Sequence, residues 1–169
     1  VLFSVADTSV YRLGKKAPFG SILGARGPYG IFAAGVDTPL NNWFRKVYID
    51  RYSVPPVGGS YQAAQGVLAA KYAYDAAAKA NGGKFPNKDQ VIAALEGATY
   101  QGIAAPVHMN RSNGHQAATK HMIGVLQWDK EAGEPIMTKV TEFGPDCVMP
   151  PPGVNGTEWL KGGMKGAKC

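Results

Sequence analysis

Apolar and polar positions fall into blocks along this chain. Val1-Leu2-Phe3-Ser4-Val5 has the pattern of a buried strand, closed by the polar turn Asp7-Thr8-Ser9. Residues 8–25 are punctuated by Gly14, Gly20 and Gly24, a pattern for one or two brief helical turns. Ile31-Phe32-Ala33-Ala34, between Gly30 and Gly35, predicts a second short strand. Leu40, Trp43, Phe44, Val47 and Tyr48 then recur at the spacing of one apolar helical face, with Arg45, Lys46, Asp50 and Arg51 on the other side. Thr38-Pro39 marks the start of that helix and Pro55-Pro56 lies beyond its end. An Ala-rich helix is predicted from Tyr61 to about Ala80, stopped by Gly82-Gly83. A third begins after Asn87, with Gln90 three residues on as in a capping box, and ends at Gly97. Pro106–Met109, His121–Trp128 and Pro135–Phe143 read as strands, the last two joined by the polar turn Asp129–Glu134. The Gly/Pro-rich tail from Pro145 is expected to wrap the surface. This order of elements predicts an α/β class with a mostly parallel sheet.

Composition narrows the picture. By length alone, 169 residues make one ordinary domain, and 45% hydrophobic residues suffice for a core. No apolar run approaches the ~20 residues of a membrane-spanning helix. The net charge of +6 is spread from Arg12, Lys15 and Lys16 to Lys161, Lys165 and Lys168, without interleaved aromatics, so no nucleic-acid partner is expected. The chain opens on an apolar run with neither Met nor a signal peptide, as if cut within a strand.

Candidate chemistry is sparse. No nucleophile elbow, zinc-protease helix, P-loop or dinucleotide fingerprint occurs, and neither Ser60 nor Ser112 has a base signature beside it. The spacings of His108, His115 and His121 put no two on one helical face, so no metal, cofactor or enzymatic activity is expected. Cys147 and Cys169 have no zinc-type spacing; an oxidising compartment would bridge them, and a reducing one would leave two thiols. Two polar spots remain. Asp7 follows the first strand, at the carboxyl end where open α/β sheets bind ligands; it either meets a ligand ammonium or caps the next helical turn. Gly58-Gly59-Ser60-Tyr61-Gln62 opens the Ala-rich helix. Its free amides attract anions or carbonyls and Tyr61 offers a stacking wall, unless Ser60 is simply a cap.

Taken together, Gly30-Ile31-Phe32, Pro56, Tyr74-Asp75-Ala76, Ala94-Leu95-Glu96-Gly97, Tyr100-Gln101-Gly102 and Asn113-Gly114-His115-Gln116 carry a resemblance through order and spacing. To about Phe143 the chain resembles the C-terminal half of the branched-chain amino acid (Leu/Ile/Val) binding proteins of ABC importers, of the type I periplasmic-binding-protein fold. The resemblance implies part of a two-lobed α/β flytrap with the N-terminal half absent. Residues 1–35 would end the second lobe, 36–122 would belong to the first, and 123–169 would supply return strands and tail, with hinges near Val36 and His121–Ile123. It implies a small amino acid, amide or aromatic carboxylate as solute, a membrane permease as partner, and a periplasmic location. Pairing with the missing half or with another copy follows from the incomplete lobes. Asp7 falls on the family's acidic residue for the ligand amino group, with Asp in place of Glu, and the family's pocket aromatic falls on Ser60 or Tyr61, of which Tyr61 is chosen, with Gly59 beside them. Gln65 stands where relatives often carry Tyr, which speaks against a strict leucine specificity. Export would also suit a bond between Cys147 and Cys169. A ligand-sensing receptor domain of the same fold is the alternative, and an α/β enzyme a third reading.

Overall fold

A computed structural model describes residues 7–110 and 116–169, without the side chains of residues 7–9. The strand expected at Val1–Val5 and most of the Asn113–Gln116 turn lie outside the described residues. Two compact units divide the chain. One comprises Val1–Ala63, Ile103–Ala105 and Lys120–Phe143; the other comprises Ala64–Gly102, Pro106–Thr119 and Gly144–Cys169.

In the first unit, helix α1 (Asp7–Leu13) and a 3-10 turn (Gly14–Lys16) precede strand β1 (Ile22–Ala25), which lies in the stretch expected to hold only helical turns. Strands β5 (His121–Asp129) and β6 (Glu134–Phe143) complete a sheet of order β1-β5-β6. Every strand pair among the described residues is antiparallel, where mostly parallel sheets were expected. The physical reason is the Asp129–Glu134 connection: a turn this short can only return the chain alongside itself. Asp129 Oδ1 fixes that turn by accepting from the amides of Glu131 at 2.8 Å and Ala132 at 3.1 Å. Met122, Gly124 and Leu126 are buried at period two, and Met122 and Leu126 pack with Val10, Ala17, Leu23, Ile31 and Phe32 in one core. At Gly124 the β5–β6 register slips, with Ile123 opposite Thr141 and Val125 opposite Thr138. A Cβ there would stand 3.1 Å from the Thr138 carbonyl oxygen, tighter than an ordinary contact, so a larger residue would have to push β6 back by a few tenths of an ångström.

The Ile31–Ala34 run is not a strand. It forms a 3-10 turn (Gly30–Gly35) with Gly30 at φ +57°, and the side chain of Asn41 takes the carbonyls that a strand would have offered to a neighbour. Helix α2 (Pro39–Tyr52) starts as expected, with Thr38 Oγ1 accepting from the Asn41 amide. Its inward stripe differs from the expected one. Asn41 is fully buried and Phe44, Arg45 and Tyr48 are half-buried, whereas Trp43 and Val47 are 59% and 46% exposed. The hydrogen bonds of Asn41 thus set the rotation of α2 against its apolar count.

In the second unit, the body of α3 (Gly58–Ala80) buries Ala73 and Ala77, the small residues that permit close approach. Gly83 ends the helix by donating to the Ala78 carbonyl at 2.8 Å. Helix α4 (Lys88–Leu95) carries the expected capping box: Asn87 and Gln90 bond each other's backbone amides, both at 2.9 Å. Strands β2 (Thr99–Gln101), β3 (Pro106–Met109) and β4 (Ala117–Ala118) form a second sheet in that order. Tyr100 of β2 stacks on Tyr72 at 5.5 Å and its hydroxyl accepts from Gln65 at 3.3 Å. The tail holds two short helices, α5 (Pro145–Val148) and α6 (Gly156–Lys161), and a disulfide joins Cys147 to Cys169.

Candidate functional site

The residues singled out at the mouth of α3 lie in the first unit. Gly58, Gly59 and Ser60 form the first turn, because the helix starts three residues before the predicted Tyr61. Gly59 is exposed with open space where a Cβ would stand. Ser60 does not cap the helix; its hydroxyl donates to the Tyr48 hydroxyl at 3.1 Å. Asp7 heads α1, and its side chain lies outside the described residues.

Tyr61 is wholly enclosed. Its ring stacks on Tyr29 at 5.7 Å and meets the edge of Phe44 at 4.9 Å. Its hydroxyl donates to Asn41 Oδ1 at 2.8 Å, while Asn41 Nδ2 donates to the carbonyls of Ala33 at 2.8 Å and Val36 at 2.6 Å. One buried amide therefore ties the 3-10 turn, α2 and the start of α3 together, with every bond inside the first unit. Phe44 continues to Tyr48 and Tyr48 to Tyr52, so four rings extend from Tyr61 along α2. Gly27 leaves room for Tyr29: a Cβ at its φ of +151° would lie 2.4 Å from that ring.

Burial pushes the Tyr61 hydroxyl up to about 12, against the opposing pull of the Arg45 guanidinium beside it. Tyr61 thus stays a neutral donor at physiological pH. Arg45, expected on the solvent side of α2, instead turns inward, and its Nη1 is buried with no hydrogen-bond acceptor. An unpaired buried donor costs about 1–3 kcal/mol, and more when it is charged. Asn41 and Arg45 are the residues that apolar spacing missed. The available signal was their i, i+4 spacing on the stripe that also holds Phe44 and Tyr48. Elsewhere in the first unit, burial and the charge of Arg26 hold the His121 imidazole below its usual value.

Two clefts lie in the second unit, and neither is lined by Gly59, Ser60 or Tyr61. One, of about 330 Å³, sits between His108, Asn110, Asp146, Met149 and Lys168; the other, of about 360 Å³, between Ile92, Leu95, Glu96 and Met109. Among the described residues no three His, Cys, Asp or Glu side chains gather as metal ligands, and no helix is long and apolar enough to cross a membrane.

Against known proteins, no curated protein matches the chain. Solved structures share its fold at low identity. A solute-binding protein of an ABC transporter from Rhodopseudomonas palustris, in complex with 3,4-dihydroxybenzoic acid, matches at a TM-score of 0.62 and 19% identity over 82% of this chain and 34% of its own. An amino acid ABC transporter substrate-binding protein from Pseudomonas fluorescens matches at 0.59 and 20%, over 86% of this chain and 37% of its own. A leucine binding protein from Thermotoga maritima matches at 0.56 and 14%, over 80% of this chain and 34% of its own. The chain thus spans about a third of the length of these structures. A family model described as periplasmic binding protein matches residues 1–134. With most of the sequence matched by that model and the α/β architecture shared with solute-binding structures, the chain belongs to the periplasmic binding protein family.

Proposed function

We propose that the chain is part of the extracytoplasmic solute-binding component of an ABC importer, a non-enzymatic protein that captures a small solute and delivers it to a membrane permease. The observation that carries this reading is the family match across residues 1–134. Relatives of this fold are described with 3,4-dihydroxybenzoic acid, p-hydroxybenzoic acid and benzoate, and one as a leucine binding protein, so amino acids, amides and aromatic acids are the solutes to test. The solute is read as seated at the mouth of α3. Gly59 and Ser60 offer backbone and hydroxyl groups at the rim, the enclosed Tyr61 underpins them from below, and Asp7 meets a ligand cation or hydroxyl. Closure of two lobes would bury the solute and strengthen its few polar contacts.

The test is a melting panel of leucine, acetamide and benzoate on the intact protein. A ligand at a hundred times its Kd stabilises by about 2.7 kcal/mol, a rise of several degrees. At least one solute is expected to give that rise, with Asp7→Ala weakening it at least tenfold. No rise with any solute would overturn the function, and an unchanged affinity in Asp7→Ala would overturn the pocket.

A further inference from the structure

We propose that the Cys147–Cys169 bond is a redox latch on the tail cleft: a dithiol reductant cuts it at Cys169, and the terminal arm 162–169 then leaves the cleft wall. The inference is independent of the solute-binding reading and concerns the second unit alone. The cleft of about 330 Å³, within the size range of small-molecule sites, is lined by Gly166 and Lys168 of the arm, by the Pro150–Pro152 run, and by His108, Asn110 and Ala118. A Cβ at Gly166 would lie 3.6 Å from the Pro151 ring, so the arm rests on the proline run.

Three observations make the bridge a latch rather than one support among many. No residue of the arm is buried, and Ala167 alone is half-buried. Beyond the C-terminal turns of α6, two hydrogen bonds tie the arm down: the Lys168 amide donates to the Asp146 carbonyl at 3.0 Å, and the Trp159 indole N–H donates to the Lys165 carbonyl at 2.9 Å. The Lys168–Asp146 ion pair spans 3.9 Å between largely exposed side chains and adds little. Without buried side chains, such ties do not repay the ordering of eight residues once the covalent bond is gone. The two sulfurs are also unequal, because Cys147 is 5% exposed whereas Cys169 is open to solvent. A reductant thiolate therefore attacks Cys169 Sγ and forms a mixed disulfide, and Cys147 leaves as a thiolate that takes up a proton. The reductant's second thiol then attacks the mixed disulfide, closing the reductant's own disulfide and releasing Cys169 as a thiol. Two electrons and two protons pass from the dithiol to the two cysteines.

Hydrogen exchange on the intact protein, before and after native reduction with dithiothreitol confirmed by mass, tests this. Amides of residues 162–169 are expected to exchange at least tenfold faster, with a smaller rise through 144–161 and less than twofold change in α4. Brief alkylation of the reduced protein should modify Cys169 at least tenfold faster than Cys147, and reoxidation should restore the original exchange. Cys169→Ser should show the fast exchange without reductant and not respond to dithiothreitol. Unchanged exchange in 162–169 after complete reduction overturns the latch. An equal rise in α4 also overturns it, because the bond would then be a staple for the whole unit. Equal alkylation of the two cysteines overturns the asymmetric cut. If Cys169→Ser does not fold, reduction and reoxidation of the natural protein decide.

Discussion

Around Asn41, a buried amide and a tyrosine hydroxyl hold irregular backbone, whereas in the tail a covalent bridge does so. The Asn41 node binds the Gly30–Gly35 turn through two carbonyls and reaches α3 through Tyr61, inside a cluster of aromatic rings. The tail has fewer apolar anchors. Trp159 is buried and donates its indole N–H to the Lys165 carbonyl at 2.9 Å, the Lys168 amide donates to the Asp146 carbonyl at 3.0 Å, and the Cys147–Cys169 bond closes the loop. A segment rich in Gly and Pro buries too little side chain to repay its ordering, so a cross-link substitutes for packing. Where rings are plentiful, polar bonds sheltered by them suffice.

Asn41→Ala should break that comparison most severely. It strands the Tyr61 hydroxyl and the carbonyls of Ala33 and Val36, and denaturant unfolding is expected to show a loss of about 3–4 kcal/mol. Reducing the Cys147–Cys169 bond, whose ends are 22 residues apart, should cost about 3 kcal/mol in the chain-entropy model. Amide exchange should then accelerate across residues 144–169 and remain unchanged across 33–61. Tyr61→Phe keeps the ring and removes the donor to Asn41 together with the oxygen that the Arg45 guanidinium bonds, so a loss of about 1–3 kcal/mol is expected by the same unfolding measurement. The smallest effect is the pH dependence of His121. Its folded pKa lies below the unfolded value of about 6.5, so acidification charges the unfolded chain first. The stability tied to this neutral imidazole is present above about 6.5 and declines as pH falls below it. His121→Gln should show a shallower fall in melting temperature between about pH 7 and pH 5.

Much of the secondary structure was legible because its signals are local. The Thr38-Pro39 start, the Asn87–Gln90 capping box and the β5–β6 hairpin each depend on residues a few positions apart. The Ile31–Ala34 turn and the rotation of α2 were not legible, because both depend on Asn41 meeting groups that local spacing does not identify. A polar residue on an inward stripe breaks the apolar count, and only the fold supplies the partners that compensate it. The candidate site divides in the same way. Gly59, Ser60 and Tyr61 could be picked out from a glycine-rich helix start, while Arg45 was assigned to the solvent face by its charge.

The most direct measurement maps the bound solute onto backbone amides by NMR, using the tightest binder of the melting panel. Saturating ligand is expected to shift the amides of Gly59, Ser60 and Tyr61, leaving the tail unchanged. Shifts confined to the cleft around His108, Met149 and Lys168, with residues 59–61 unmoved, would contradict the account.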